Sequence, residues 1–134
     1  MDRHQILVVD DLESNRIILA EIFRKDYEIL EASSTREALQ ALKGNAAGIA
    51  AVLLDWHLSG EDGGKVLAGM KQNGWMAHIP VLVVTAEQSI ETEKKCIGLG
   101  AADMIRKPFD RDVVRKRVDN NISLYQHKNH MEEK

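Results

Sequence analysis

The 134-residue sequence predicts one α/β domain, a doubly wound parallel β-sheet with helices on both faces. Three observations lead to this prediction. Apolar runs of strand length alternate five times with amphipathic stretches of helical periodicity. Three of these runs are almost continuously apolar, as central strands covered on both faces are. The repeated strand–helix order also matches parallel strands joined by right-handed crossovers.

Five segments are predicted to be strands, with turn signals between them. They are QILVV (5–9), YEILEA (27–32), IAAVLL (49–54), VLVVT (81–85) and ADMIR (102–106). The first, third and fourth are the most apolar, so we expect them at the centre of the sheet.

The stretches between the strands carry apolar residues at helical spacing. The residues that mark the first four helices are Ile18, Leu19, Ile22 and Phe23; Ala38, Leu39, Ala41 and Leu42; Val66, Leu67 and Met70; and, more weakly, Glu93, Cys96, Ile97 and Gly100. Ser34 with Glu37 forms a capping-box pattern at the start of the second helix. Asn73 and Gly74 are predicted to close the third helix.

The fifth helix is expected to begin near Asp110. Its inward-facing residues are predicted to be Val114, Val118, Ile122 and Tyr125. From residue 126 onward the sequence, QHKNHMEEK, is polar. We therefore divide the chain into a domain over residues 1–125 and a polar extension over residues 126–134. The extension is either a fraying helix end or the start of a connector to an output domain that this chain lacks.

The composition of the chain indicates its cellular compartment and restricts the classes of molecule that it binds. The 18 basic and 21 acidic side chains give a net charge of −3, which argues against direct binding to nucleic acid. The lone Cys96 excludes an internal disulfide and is typical of a reducing compartment. Neither a signal-peptide pattern nor an apolar run of membrane-spanning length is present. We therefore expect a cytoplasmic protein with neither nucleic acid nor membrane as a direct partner.

Four predicted strands end in residues that can carry chemistry. The first strand is followed by Asp10 and Asp11, the third by Asp55 and the fifth by Lys107, and the fourth ends in Thr85. Parallel strands end at one edge of the sheet, where α/β proteins bind ligands, so we expect these residues to converge. Taken singly, each has a plainer explanation, such as a helix cap or a solvated lysine.

Taken together, these residues predict a phosphoryl-transfer site. Three neighbouring carboxylates repel one another, and a divalent cation with oxygen ligands, Mg²⁺, relieves that repulsion. An aspartate can act as the nucleophile, and the lysine and threonine side chains suit phosphate oxygens.

These motifs resemble those of the receiver (CheY-like) domains of bacterial two-component response regulators. Four segments carry the resemblance in order: ILVVDDLESNR (6–16), VLLDWHLSGEDGG (52–64), VLVVTA (81–86) and GAADMIRKPF (100–109). The resemblance spans about residues 4–124. It implies a flavodoxin-like (CheY-like) five-stranded parallel sheet in the order 2-1-3-4-5 with five helices.

The resemblance also implies a chemistry for the acidic residues. Asp55 would accept a phosphoryl group from the phosphohistidine of a sensor histidine kinase or phosphotransfer protein. Asp11 and Asp55 would bind Mg²⁺ directly and Asp10 largely through water, with the backbone carbonyl of His57 as a further ligand.

On the same resemblance, Thr85 and Lys107 would contact the phosphoryl oxygens, and the peptide bond between Lys107 and Pro108 would be cis. The protein would then be a phosphoacceptor that promotes its own phosphorylation and dephosphorylation, not an enzyme with a separate substrate. Phosphorylation would repack the surface of the fourth helix, fifth strand and fifth helix. That surface would act on an output domain, a downstream protein or a second copy in a phosphorylation-dependent homodimer.

The sequence departs from the family pattern at two points, and two variable positions flank the site. Met104 stands where the family usually has an aromatic residue, so we do not expect an aromatic rotamer switch. Ser59 replaces a common loop proline. His57 and Glu87 flank the site at positions that tune the lifetime of the phosphoryl group in the family, although a solvated histidine is the plainer interpretation of His57.

Three other functions match parts of the pattern. A haloacid-dehalogenase-like phosphatase also uses an aspartate with Mg²⁺, but it needs a second carboxylate two residues later, where this chain has His57. A nucleotide- or flavin-binding module needs a glycine-rich phosphate loop, whereas the turn after the first strand reads DDLESN. A receiver that has lost phosphorylation and serves as a scaffold would not need the complete acidic, threonine and lysine set.

Overall fold

A computed structural model describes residues 3–58 and 60–132, and it contains five parallel strands with helices on both faces. The strands are β1 (Gln5–Val9), β2 (Glu28–Ala32), β3 (Ile49–Asp55), β4 (Val81–Thr85) and β5 (Asp103–Arg106). The helices are α1 (Glu13–Phe23), α2 (Thr35–Asn45), α3 (Gly64–Gln72), α4 (Ile90–Gly98) and α5 (Arg111–Glu132).

The strand order is β2-β1-β3-β4-β5, which confirms the predicted flavodoxin-like topology. β1 and β4 have the predicted bounds, while β2 and β5 each begin one residue later than predicted. β3 continues one residue further, so Asp55 belongs to the strand and pairs with Val84 of β4. The acidic side chain is therefore held by the sheet itself rather than by a loop.

The core consists of two apolar layers, one on each face of the sheet. Leu54 and Val83 face the layer that contains α2 and α3, whereas Leu53 and Val84 face the layer that contains α1 and α5. Successive strand residues point to opposite faces, so a strand covered on both sides is apolar at every position. This explains the continuous apolar runs of β1, β3 and β4.

The predicted inward faces of the helices are largely correct. In α1, Leu19, Ile22 and Phe23 are buried, but Ile18 is 49% exposed, so its assignment to the core is wrong. The buried stripe of α1 includes Ala20 instead, because that side chain lies on the same side of the helix as Phe23.

In α4, Cys96 is fully buried, and burial raises the pKa of its thiol to about 11. Ile97 is 48% exposed, so it does not belong to the core as its helical spacing predicted.

Capping follows the sequence signals with one difference. The N–H of Glu37 donates to Oγ of Ser34 at 3.1 Å, as the capping box predicts. The Glu37 carboxylate, however, accepts from the N–H of Ser33 at 2.8 Å, one residue before the cap. Gly74 follows α3 with φ of 77°, a left-handed conformation that glycine adopts without strain.

α5 continues without a break into the polar extension. Val114, Val118 and Ile122 are buried as predicted, and Tyr125 is half-buried. Asn129 lies against the segment before β4, where its Oδ1 is 2.9 Å from Nδ1 of His78. The extension is therefore helical up to residue 132, and its last two residues lie outside the described part of the chain.

No helix in the described ranges combines the length and the apolar character that crossing a bilayer requires.

Candidate functional site

The carboxyl ends of β1, β3, β4 and β5 lie side by side along one edge of the sheet. Asp10 directly follows the residue of β1 that pairs with Leu54, so it lies beside Asp55. The neighbouring strand β4 ends at Thr85, and the N–H of Lys107 donates to the carbonyl of Thr85 at 2.9 Å. The fold therefore brings together the strand ends that the sequence predicted to converge.

Asp10 carries a fully buried carboxylate. Its Oδ1 accepts the N–H of Leu12 at 2.9 Å, whereas its Oδ2 is buried and has no hydrogen-bond partner within the described ranges. Burial, reinforced by the neighbouring Asp55, raises the pKa of Asp10 from its ordinary 3.8 to about 6, although the Leu12 hydrogen bond and Lys107 act in the opposite direction. A buried, unsatisfied oxygen is costly, and a bound cation would satisfy it.

Asp55 is held from two sides and is only 6% exposed. Its Oδ1 accepts the N–H of His57 at 3.0 Å. Its Oδ2 lies 3.0 Å from Nζ of Lys107, whose side chain is 28% exposed. The lysine therefore reaches across from the end of β5 and neutralises part of the charge of this carboxylate.

Asp10, Asp11 and Asp55 each bring one carboxylate oxygen within 4.8 Å of the others. No other group of three or more His, Cys, Asp or Glu side chains converges in this way in the part of the chain that the structure describes. An all-oxygen, strongly negative set of donors suits a hard divalent cation such as Mg²⁺ rather than a softer metal. Together with the unsatisfied oxygen of Asp10, the donors fit Mg²⁺.

Thr85 lies at the buried end of β4 and is 1% exposed. Its Oγ1 accepts the N–H of Glu87 at 3.0 Å, which leaves the hydroxyl hydrogen to donate elsewhere. The Glu87 carboxylate reaches the segment that follows Asp55, and its Oε1 lies 3.1 Å from Nε2 of His57. The two flanking residues that the sequence singled out are thus paired with each other.

The segment after Asp55 forms a small antiparallel ladder in which His57 and Leu58 pair with Asp62 and Glu61. Gly60, with φ of 86°, lies at its turn. The sequence predicted only a glycine-bearing loop here, and Ser59 lies outside the described residues. The ladder fixes the position of His57 relative to Asp55.

The site opens into a depression of about 340 Å³. Its lining residues are Asp11, Leu12, Asn15, Asp55, His57, Gly60, Ala86 and Lys107. Asn15 received no role from the sequence, although it lies in the first turn of α1, just after the acidic pair. Behind it, Arg16 donates to the backbone carbonyl of Asp10 at 2.7 Å and supports the turn.

On β5, the outermost strand of the sheet, Met104 is half-buried and packs against the core. It lines a groove of about 490 Å³ between α4, β5 and α5, together with Phe109 and Val113. The Lys107–Pro108 peptide bond is cis, as the resemblance implies.

The fold and the site define a flavodoxin-like α/β protein with an acidic pocket, suited to a cation, at the carboxyl edge of its sheet. A family model for the response regulator receiver domain matches residues 6–119. The chain belongs to this family of two-component signalling domains. Receiver domains are in general phosphoacceptors that work in phosphorylation-dependent signalling, are not themselves enzymes with a separate substrate, and typically bind Mg²⁺.

Among curated proteins, the chain is similar to sporulation initiation phosphotransferase F of Bacillus subtilis (strain 168), with 33% identity over 125 residues. That alignment covers 92% of this chain and 98% of the relative. Response regulator PleD of Caulobacter vibrioides (strain NA1000 / CB15N) is 33% identical over 115 residues, which are 85% of this chain and 25% of PleD. The chain therefore matches nearly all of one relative and a quarter of another.

Among solved structures, NtrX from Brucella abortus superposes with a TM-score of 0.86 at 28% identity, covering 98% of this chain and 29% of NtrX. A CheY-like response regulator receiver domain protein from Methanospirillum hungatei JF-1 superposes with a TM-score of 0.83 over 94% of this chain and 98% of that chain. At 20% identity, this second likeness supports the fold alone.

Proposed function

We propose that the chain is a phosphorylation-controlled receiver in which Asp55 accepts a phosphoryl group with the help of Mg²⁺. The observation that carries the proposal is the setting of Asp55, with Lys107 on one oxygen and two further carboxylates within 4.8 Å. A buried nucleophile, a cation-binding set of oxygens and a lysine are the components that phosphoryl transfer requires.

Asp10, Asp11 and Asp55 would hold the Mg²⁺, together with the backbone carbonyl of His57. When bound, the ion offsets the charge of the carboxylates and of the incoming phosphoryl oxygens. The unsatisfied Oδ2 of Asp10 supports this assignment, because a buried oxygen without a donor is otherwise unfavourable.

In the transfer itself, a carboxylate oxygen of Asp55 attacks the phosphorus of a phosphohistidine. The phosphorus–nitrogen bond breaks, its electron pair stays on the histidine ring, and an aspartyl phosphate forms. Lys107 lies at the acceptor and would neutralise one phosphoryl oxygen, and the Thr85 hydroxyl would donate to another.

The donor would be a sensor histidine kinase or a phosphotransfer protein. Leu12 lies on the rim of the depression and is 56% exposed, and Ile17 and Ile18 of α1 are 47% and 49% exposed. Exposed apolar side chains beside a charged pocket suit a protein surface that carries the phosphohistidine.

The output would be a rearrangement of the surface formed by α4, β5 and α5, which would act on an output domain, a downstream protein or a second copy. The groove lined by Met104, Phe109 and Val113 gives this surface room to repack. With methionine at position 104, the rearrangement would proceed by adaptation of a flexible side chain rather than by rotation of an aromatic ring.

We assign residues 1–125 to the receiver and residues 126–134 to a polar extension that would connect to an output domain. The continuity of α5 beyond residue 125 supports a connector over a frayed end. The net charge of −3 supports the absence of direct contact to nucleic acid, and the single cysteine fits a cytoplasmic setting.

The alternatives receive less support. A haloacid-dehalogenase-like phosphatase would need an acid–base carboxylate where His57 stands. A nucleotide-binding module would need a glycine-rich turn after β1, and the turn instead presents Asp10 and Asp11 to the acidic cluster. A scaffold without phosphorylation would not need a lysine on a nearly buried acceptor carboxylate.

Incubation with acetyl phosphate and Mg²⁺, followed by intact-mass measurement, tests the proposal. Wild type should gain the mass of one phosphoryl group, Asp55→Ala should gain none, and Asp112→Ala, which removes an exposed carboxylate of α5, should behave as wild type. Equal labelling of wild type and Asp55→Ala would refute the assignment of the acceptor.

A further inference from the structure

Helix α4 buries fewer side chains than the other four helices. Of its nine residues only Cys96 is fully buried, whereas α1 buries four side chains and α3 buries three. Ile90 and Ile97, the largest apolar residues of α4, are 67% and 48% exposed. Apolar burial is what usually holds a helix on a sheet, so the position of α4 depends more strongly on its polar contacts.

One of these contacts joins α4 to the segment that follows the acceptor. Nζ of Lys95 lies 3.3 Å from Oδ2 of Asp62 and 5.8 Å from the ring centroid of Trp56. Trp56 is the residue directly after Asp55 and is 4% exposed. Lys95 therefore contacts both ends of the segment formed by residues 56–62, which we call the acceptor loop.

A second contact runs in parallel, one turn earlier on α4. The hydroxyl of Thr92 donates to Oε2 of Glu87, and Oε1 of the same glutamate pairs with His57 of the acceptor loop. Thr92 and Lys95 are three residues apart and so lie on the same side of the helix. The side of α4 that faces the site is thus joined to the acceptor loop at two points.

We propose that Lys95 is a positioning residue that couples the phosphorylation state of Asp55 to the position of α4. The inference rests on the proposed function, because it requires that Asp55 is phosphorylated. Lys95 holds the acceptor loop against a helix with little apolar anchorage, so a change in the loop alters the position of α4.

Coupling of this kind is reciprocal. A partner that binds α4 and takes the Lys95 ammonium away from Asp62 and Trp56 therefore changes the lifetime of the phosphoryl group. An exposed ion pair and a cation–π contact each shift an equilibrium by up to about fivefold, so the link can hold the loop and still be broken by a partner.

The test uses four proteins in a Trp75→Phe background, which leaves Trp56 as the only tryptophan. They are the Trp75→Phe parent, called the unmodified chain below, and the same parent with Lys95→Gln, with Lys95→Arg or with Lys94→Gln. Lys94 is the matched control, because it is an exposed lysine of α4 that forms no ion pair among the described residues. Each protein is loaded with acetyl phosphate and Mg²⁺, and intact mass reports the phosphorylated fraction.

Two quantities are then compared. Hydrogen–deuterium exchange of residues 90–98 is measured with and without phosphorylation, and the decay of the phosphorylated mass is followed after removal of acetyl phosphate. The fluorescence of Trp56 reports whether the Lys95 ammonium still contacts the indole ring. We expect Lys95→Gln to lose the change in α4 exchange on phosphorylation and to shorten the phosphoryl lifetime about threefold. Lys95→Arg should restore both, and Lys94→Gln should match the unmodified chain.

Three outcomes would overturn the inference. One is a Lys95→Gln protein that is phosphorylated and shows the unmodified response of α4. Another is faster exchange by the same factor in both states, which would indicate a structural role only. A parent chain that gains no phosphoryl mass would overturn the proposed function as well, and the mass measurement alone identifies that case.

Discussion

Replacing Asp10 by asparagine should stabilise the metal-free protein. The carboxylate is fully buried, one of its oxygens has no hydrogen-bond partner in the described ranges, and burial raises its pKa to about 6. Asparagine has the same shape, and its amide oxygen can keep the hydrogen bond from the N–H of Leu12. The substitution therefore removes a buried charge at little cost in packing.

The magnitude follows from the pKa. The folded protein keeps a proton on Asp10 up to about pH 6, whereas the unfolded chain releases it near 3.8. The folded state therefore binds more protons between these values, and stability falls as pH rises from about 4 to about 6. At about 1.4 kcal/mol per pH unit, the charged Asp10 destabilises the fold by about 3 kcal/mol at neutral pH.

Urea unfolding of wild type, Asp10→Asn and the exposed control Asp112→Asn measures this effect. In EDTA at pH 7 the midpoint of Asp10→Asn should rise by about 1–2 M, and the gain should shrink towards pH 4. Mg²⁺ should stabilise wild type and the control more than Asp10→Asn, which keeps the carboxylates of Asp11 and Asp55. An Asp10→Asn protein that is less stable than wild type in EDTA at pH 7, or a gain independent of pH, would refute the reasoning.

Three further predictions address the site and the fold. Lys107→Gln should slow labelling by acetyl phosphate at least about tenfold while still binding Mg²⁺ in a calorimetric titration, and labelling at the wild-type rate would contradict the role of the lysine. His57→Ala, which removes the contact with Glu87, should change the half-life of the phosphoryl group about twofold or more. Superimposable decay curves for wild type and variant between about pH 6 and pH 8 would show that His57 does not affect that lifetime. Gly100→Ala should destabilise by about 1–3 kcal/mol in urea, because φ is 108° and a Cβ would meet Sδ of Met76, whereas Gly44→Ala in open space on α2 should stabilise by about 0.5–1 kcal/mol. Equal midpoints for the two glycine variants would show that the backbone strain is absent.

The order of strands and helices could be predicted from the periodicity of the sequence, because strands and helices that face the core each place their apolar residues at a characteristic spacing. β1 and β4 needed no adjustment, since a strand covered on both faces is apolar at almost every position. Ile18 shows the limit of this reasoning. Its spacing fits a buried stripe, but only packing decides which edge of a stripe meets the sheet, and Ile18 lies on the solvent side.

The candidate site was predictable as a set of residues but not as a set of contacts. Placing Asp10, Asp55, Thr85 and Lys107 at one edge needed only parallel strands. That Lys107 contacts Asp55, and that His57 pairs with Glu87, depends on side chains from different strands meeting across the edge. No spacing along the chain encodes these distances.

The sequence by itself determined the α/β class, the strand order through its family motifs, and the acidic and basic residues that end the strands. It did so because side-chain alternation and helical periodicity are local properties that every core-facing segment must satisfy. Only the tertiary structure decided that one oxygen of Asp10 would be buried without a donor among the described residues, and that Lys95 and Thr92 would join α4 to the residues around the acceptor. Burial and ion pairing depend on which segments meet in space. Those contacts form only when the strands pair and the helices pack on the sheet.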